Sequence, residues 1–92
     1  MIVSFKSKAL KRYYYKGDGS KLKPEHKIRI AGILTQLDAA KVLEDMNFPG
    51  SSFHKLKGTR LEEYSVWVSG NWRITFRFEN GDAFDINYED YH

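Results

Sequence analysis

The chain has no cysteine among its 92 residues, so a disulfide framework, a thiolate zinc site and a cysteine nucleophile are all excluded at once. A hydrophobic core must hold it together. The longest apolar run, about Ile30 to Leu34, falls far short of the roughly 20 residues a membrane span needs. The N-terminus lacks the apolar core of a signal peptide, and the expected compartment is the cytoplasm. HExxH, Walker A, dinucleotide-glycine and G-x-S-x-G patterns are absent too. No carboxylate cluster suits a metal nuclease, since only Asp85 and Asp90 fall near one face, so neither metal nor cofactor is expected.

Aromatic residues are abundant at 15%, and 41% hydrophobic content is a globular value, which together exclude a disordered tail. At this length one domain spanning residues 1–92 is expected. The net charge of +3 conceals an asymmetry. Residues 1–30 hold nine Lys/Arg against Asp18 and Glu25, a local +7, whereas the remainder, with six basic and ten acidic groups, carries −4. A basic segment of this kind, with Lys6, Lys8, Lys11, Arg12 and Lys16 on or beside the first helix, suits rRNA or another polyanion. A merely solvated lysine-rich face explains it equally well.

The order of elements predicts an α+β fold, with N-terminal helices packed on a C-terminal antiparallel meander. Met1 to Phe5 reads as a short strand, Lys6 to Lys16 as a helix stopped at Gly17, and Pro24 as the first turn of a second helix burying Ile30, Ile33, Leu34 and Leu37. Asp38 reads as the N-cap of a third helix ending near Met46, with Val42 inward. Phe53 to Lys57 forms one strand before a Gly58-Thr59-Arg60 turn. Two further loops, Ser69-Gly70-Asn71 and Glu79-Asn80-Gly81, give registers that pair Val68, Val66 and Tyr64 with Trp72, Ile74 and Phe76, and these with Tyr88, Ile86 and Phe84. The opposite, open face then collects Ser65, Trp67, Arg73, Thr75, Arg77, Asp85 and Asn87.

Function is expected on that face. RNA cleavage by 2′-hydroxyl attack needs a base, an acid and cations for the charge gathering on phosphate, and His, Asp, Tyr, Lys and Arg supply these without metal. His54 and His92 are the candidate imidazoles, although an edge histidine and a frayed terminus are ordinary alternatives. Arg73 and Trp67, as cross-strand neighbours, form either a simple cation–π contact or, with Arg77, a surface for phosphate and unpaired bases. Strand alternation sets His54 and Lys57 on opposite sides.

The stretches His54-Lys55-Leu56-Lys57-Gly58, Tyr64-Ser65-Val66, Asn71-Trp72-Arg73-Ile74-Thr75-Phe76 and Asn87-Tyr88-Glu89-Asp90-Tyr91-His92, with the Met1-Ile2-Val3-Ser4-Phe5 start, closely resemble HigB toxins of the RelE/ParE superfamily. The resemblance implies a microbial-ribonuclease-like fold and a ribosome-dependent endoribonuclease that cuts mRNA in the decoding site. It also implies a toxin that is monomeric when free and is neutralised by a helix-turn-helix antitoxin of the HigA type. Position by position, it implies functional roles for His54, Lys57, Arg73, Asp90, Tyr91 and His92. His92 or Asp90 acts as base or acid with His54 as partner, Arg73 and Lys57 stabilise charge, and Tyr91 positions the nucleotide. Departures lie in Gly17 to Pro24 and Asn47 to Phe53. Three other readings stay open: a gyrase-binding toxin without nuclease chemistry, a non-catalytic RNA-binding module, and a degenerate toxin that only binds antitoxin. Charge complementarity predicts an acidic antitoxin surface wherever it covers residues 1–30.

Overall fold

The computed structural model describes residues 1–91. Ser7 caps the first helix, its hydroxyl accepting the Leu10 N–H at 3.2 Å, and α1 (Lys8–Lys16) ends at Gly17, whose φ of +69° suits glycine. The helix starts later than Lys6 because Ser7 is extended at the N-cap, φ −83° and ψ 121°, while the Lys6 and Ser7 N–H groups bond the Ile86 carbonyl. A 3₁₀ turn, Pro24–His26, leads into α2 (Lys27–Ala39), which buries Ile30, Ile33, Leu34 and Leu37 as its spacing predicts.

Asp38 is not an N-cap. It lies in the last turn of α2, and its carboxylate accepts the Ile2 N–H at 3.0 Å and the Tyr14 hydroxyl at 2.7 Å, tying the N-terminal segment to both helices. The expected third helix shrinks to one 3₁₀ turn, Leu43–Met46, started by Asp45 accepting from the Lys41 and Val42 amides. Met46 points in, but Val42 is exposed.

The sheet comprises β1 (His54–Lys55), β2 (Tyr64–Ser69), β3 (Trp72–Glu79) and β4 (Asp82–Asp90), antiparallel and in sequence order. β1 is shorter than the Phe53–Lys57 expectation because Leu56 turns inward and Gly58, at φ +71°, opens a 3₁₀ turn. Val66 faces Ile74 and Tyr64 faces Phe76 as predicted, but an irregularity between Trp67 and Ser69 makes Ser69, not Val68, the partner of Trp72.

The last hairpin departs further. Glu79 faces Asp82 across a two-residue Asn80-Gly81 turn with both φ values positive, and Arg77 faces Phe84. That register alone would set apolar residues against polar ones. β4 corrects it with a bulge at Asp85, φ +52°, after which Thr75 faces Asn87 and Ile74 faces Tyr88. Ala83 and Ile86 therefore take the core positions, and Phe84 moves to the other face beneath Arg77.

The N-terminal segment forms two parallel bridges, Ile2 to Ala83 and Phe5 to Ile86, instead of a continuous strand. The β4 bulge interrupts the ladder there, and the Ser4 hydroxyl accepts the Asp85 N–H in place of a carbonyl. Leu10, Ile33, Leu37, Ile74, Phe76 and Ile86 are among the fully or almost fully buried side chains between helices and sheet. Each contributes about 1.5–3 kcal/mol by leaving water. Among the described residues no helix is long and apolar enough to cross a membrane.

Candidate active site

The outer face is not open along its length. Ser65 and Thr75 are fully buried and Arg73 is only 8% exposed; the 50–53 segment lies against β2, with the Trp67 N–H bonded to the Ser51 carbonyl at 2.7 Å, and Glu89 bonds Thr75. Beneath that segment the Arg73 guanidinium is fixed by neutral acceptors. Its Nε donates to Ser65 Oγ at 2.7 Å and its Nη2 to the Ser52 carbonyl at 2.6 Å. Burial pushes the Arg73 pKa down, and the nearby Tyr91 phenol acts weakly the other way. Among the described residues no carboxylate is ion-paired with Arg73.

His54 sits beside it, opposite Ser65 in the ladder and exposed to solvent. Its Nδ1 lies 3.1 Å from the Ser52 carbonyl, which can only accept, so the proton belongs on Nδ1. Its 3.4 Å approach to Arg73 Nη2 is then a contact between two donors. Nε2 keeps its lone pair and faces Ser65 Oγ at 3.5 Å, so one serine hydroxyl links imidazole and guanidinium.

Tyr91 follows the last strand. Its N–H donates to the Asn71 carbonyl at 2.8 Å, and its ring lies 5.6 Å from the Arg60 guanidinium. Arg60 itself is locked by two carboxylates: Nε and Nη2 donate to Glu63 at 2.9 and 2.8 Å, and Nη1 and Nη2 to Glu89 at 2.9 and 2.7 Å. Glu89 also accepts from Thr75 Oγ1 at 2.7 Å and Asn87 at 3.3 Å. Hydrogen bonds from Arg60 chiefly hold the Glu89 carboxyl down at about 2.

The sequence reading missed this cluster. The available signals were the i, i+3 spacing of Arg60 and Glu63 and the alternation that places Glu89 on the outer face. It also missed His26, which is 4% exposed with Nδ1 2.6 Å from the Tyr88 hydroxyl. Tyr88 does pack on Trp72, with ring centroids 4.7 Å apart.

The other candidates are dispersed. Asp90 faces Trp72 in the ladder, one step out of phase with Arg73 and Glu89. Lys57 is exposed just before the Gly58 turn, with no ion pair among the described residues. His92 lies outside the described residues. Arg77 is occupied by Asp85 at 2.9 Å and Glu79 at 3.3 Å, four residues along β3 from Arg73 and so about 13 Å away. Trp67 faces Arg73 in register, yet the cation over its ring is Arg29, at 5.0 Å. Lys8, Lys11, Arg12 and Lys16 line a shallow groove with Tyr15 on α1, whereas Lys6 lies near enough to Glu63 to help lower its pKa.

The chain is similar along nearly its whole length to a known family. A family model described as the RelE-like toxin of the type II toxin–antitoxin system HigB matches residues 3–92. The chain is 45% identical over 92 residues, covering all of both proteins, to the Endoribonuclease HigB of Proteus vulgaris. Its α+β architecture, two helices on a four-stranded antiparallel sheet, accords with that match. The chain belongs to the HigB-like family of RelE-like toxins of type II toxin–antitoxin systems.

Proposed function

We propose that this toxin is an endoribonuclease that cleaves mRNA in the decoding site of the ribosome by acid–base chemistry without a metal. One observation carries the reading: Arg73 is a buried cation bonded to a serine hydroxyl and a backbone carbonyl, with no carboxylate ion-paired to it among the described residues. A buried charge without a counter-ion is costly, and an arriving phosphate relieves that cost while gaining a forked donor.

In the proposed reaction His54 Nε2 takes the proton of the 2′-hydroxyl. The 2′-oxygen bonds to phosphorus, the bond to the 5′-oxygen breaks, and an acid returns a proton to that oxygen. Arg73 and the exposed charge of Lys57 stabilise the phosphorane-like state. Asp90 and His92 are the candidates for the acid, and Tyr91 stacks on or aligns the nucleotide. Trp67 adds an exposed aromatic ring beside the site. Lys6, Lys8, Lys11, Arg12 and Lys16 supply sequence-independent contacts to rRNA phosphates.

As a member of a type II toxin–antitoxin family, the toxin has an antitoxin partner. We assign that partner to the HigA helix-turn-helix type and the toxin's workplace to the cytoplasm, where ribosomes and mRNA are. The relative's endoribonuclease name favours RNA cutting over gyrase binding.

The test is primer extension of a defined mRNA on programmed ribosomes with wild type, Arg73→Ala and a form lacking His92. Cleavage only with ribosomes, lost in both variants, is the expected result. Equal cleavage of naked RNA removes the ribosome from the mechanism. A folded wild type that cuts under neither condition overturns the enzyme reading.

A further inference from the structure

Arg73 and Glu89 are directly opposed in the β3–β4 ladder and share a face. Directly opposed residues have β-carbons about 4.5–5.5 Å apart, and opposite charges so placed normally pair. Here Glu89 turns instead to Arg60, Thr75 and Asn87. We propose that Arg60 is a positioning residue which, by holding the Glu89 carboxylate, keeps it off Arg73 and so leaves that guanidinium, which has no carboxylate partner among the described residues, open to phosphate. The proposal rests on the assignment of Arg73 to the scissile phosphate.

The geometry argues against Arg60 as a phosphate ligand in its own right. A guanidinium offers two forked edges to an oxyanion, and here one is filled by Glu63 and the other by Glu89. What remains is its flat face, which is turned to the Tyr91 ring. With Arg60 in place the Glu89 carboxyl is held down chiefly by that hydrogen bond, and its position directly opposite Arg73 makes it the competitor for Arg73 once Arg60 releases it. Without Arg60, the neutral donors Thr75 and Asn87 leave a partly buried carboxylate undercompensated, and the cation directly across the ladder is Arg73.

The experiment compares single-turnover cleavage on programmed ribosomes by wild type, Arg60→Met, Arg60→Lys and the double variant Arg60→Met/Glu89→Gln, with circular dichroism to verify folding. Arg60→Met is expected to lower kcat/KM about tenfold or more, the loss of one charge-assisted contact. The double variant recovers most of that loss, which a merely structural arginine would not permit. Arg60→Lys, which keeps a counter-ion on Glu89, stays above Arg60→Met.

A double variant as poor as Arg60→Met, or an Arg60→Met as active as wild type, overturns the proposal. A crystal structure of Arg60→Met decides it independently of activity. A Glu89 oxygen within about 4 Å of the Arg73 guanidinium supports the proposal, and Glu89 remaining on Thr75 and Asn87 defeats it. If wild type cuts nothing, the nuclease reading fails alone and this crystallographic comparison still applies.

Discussion

His54 and Arg73 converge on one acceptor, the Ser52 carbonyl, at 3.1 Å from the imidazole Nδ1 and 2.6 Å from the guanidinium Nη2. Because that oxygen accepts from both, it orients the proposed base and the proposed phosphate-binding cation together. Ser52 holds the position at φ +44°, unusual for a residue other than glycine. The departure at residues 47–53, expected to stay clear of the proposed site, ends directly before His54 and lies against both groups through the Ser52 carbonyl.

Arg73→Lys is expected to abolish most cleavage, by about a hundredfold or more, although the charge survives. An ammonium on a shorter stem does not reproduce the Nε bond to Ser65 and the Nη2 bond to Ser52 while presenting a fork to phosphate. Ribosome-programmed cleavage checks this, and a lysine variant of near wild-type activity counts against the forked geometry.

His54→Gln separates chemistry from folding. The side chain is exposed, so thermal stability stays within about 0.5 kcal/mol of wild type. Cleavage falls about 10²–10⁴-fold, the usual worth of a general base. Parallel melting curves and single-turnover rates read the two effects.

Tyr91 distinguishes stacking from hydroxyl chemistry. Tyr91→Phe keeps a ring over Arg60 and retains most activity if positioning is the role, whereas Tyr91→Ala loses about tenfold or more. Equal loss in both variants assigns the function to the phenol oxygen.

Glu89 predicts an acid limb of stability. Its pKa in the folded chain, about 2, lies below its ordinary 4.5, so its contribution is complete above 4.5 and disappears as the pH falls towards 2. Urea unfolding across that window should show Glu89→Gln with a shallower pH dependence than wild type. An unchanged slope rejects the assignment.

The bulge at Asp85 is tested by paired substitutions. Asp85→Gly and Asp85→Val both lose the ion pair with Arg77, but only valine must force a β-branched side chain into φ +52°. The valine variant should be less stable than the glycine variant by about 1–2 kcal/mol or more, read from urea midpoints.

Much of the fold was legible because helix and strand periods are local properties. Leu37, Ile74 and Ile86 announce their faces by spacing alone. The registers were less legible, since a bulge adds one residue and slips every pair beyond it. Asp85 and the Trp67–Ser69 irregularity carry no distinctive side-chain signal. In the site, Arg73 and His54 stood out by residue type, while Arg60 did not, because its tie to Glu89 spans 29 residues and exists only after folding. The burial of Arg73 depends likewise on the 50–53 segment, whose path over the sheet has no periodic pattern.

The parallel bridges from Ile2 to Ala83 and from Phe5 to Ile86 also dictate a timetable. During synthesis the early segment has no sheet to join until β4, which is made late, has emerged. Such long-range pairings are slow to form because loop closure precedes any reward. The same late strand delivers Glu89 and leads directly into Tyr91, so the closing of the sheet and the arrival of these proposed site residues coincide in a nascent chain.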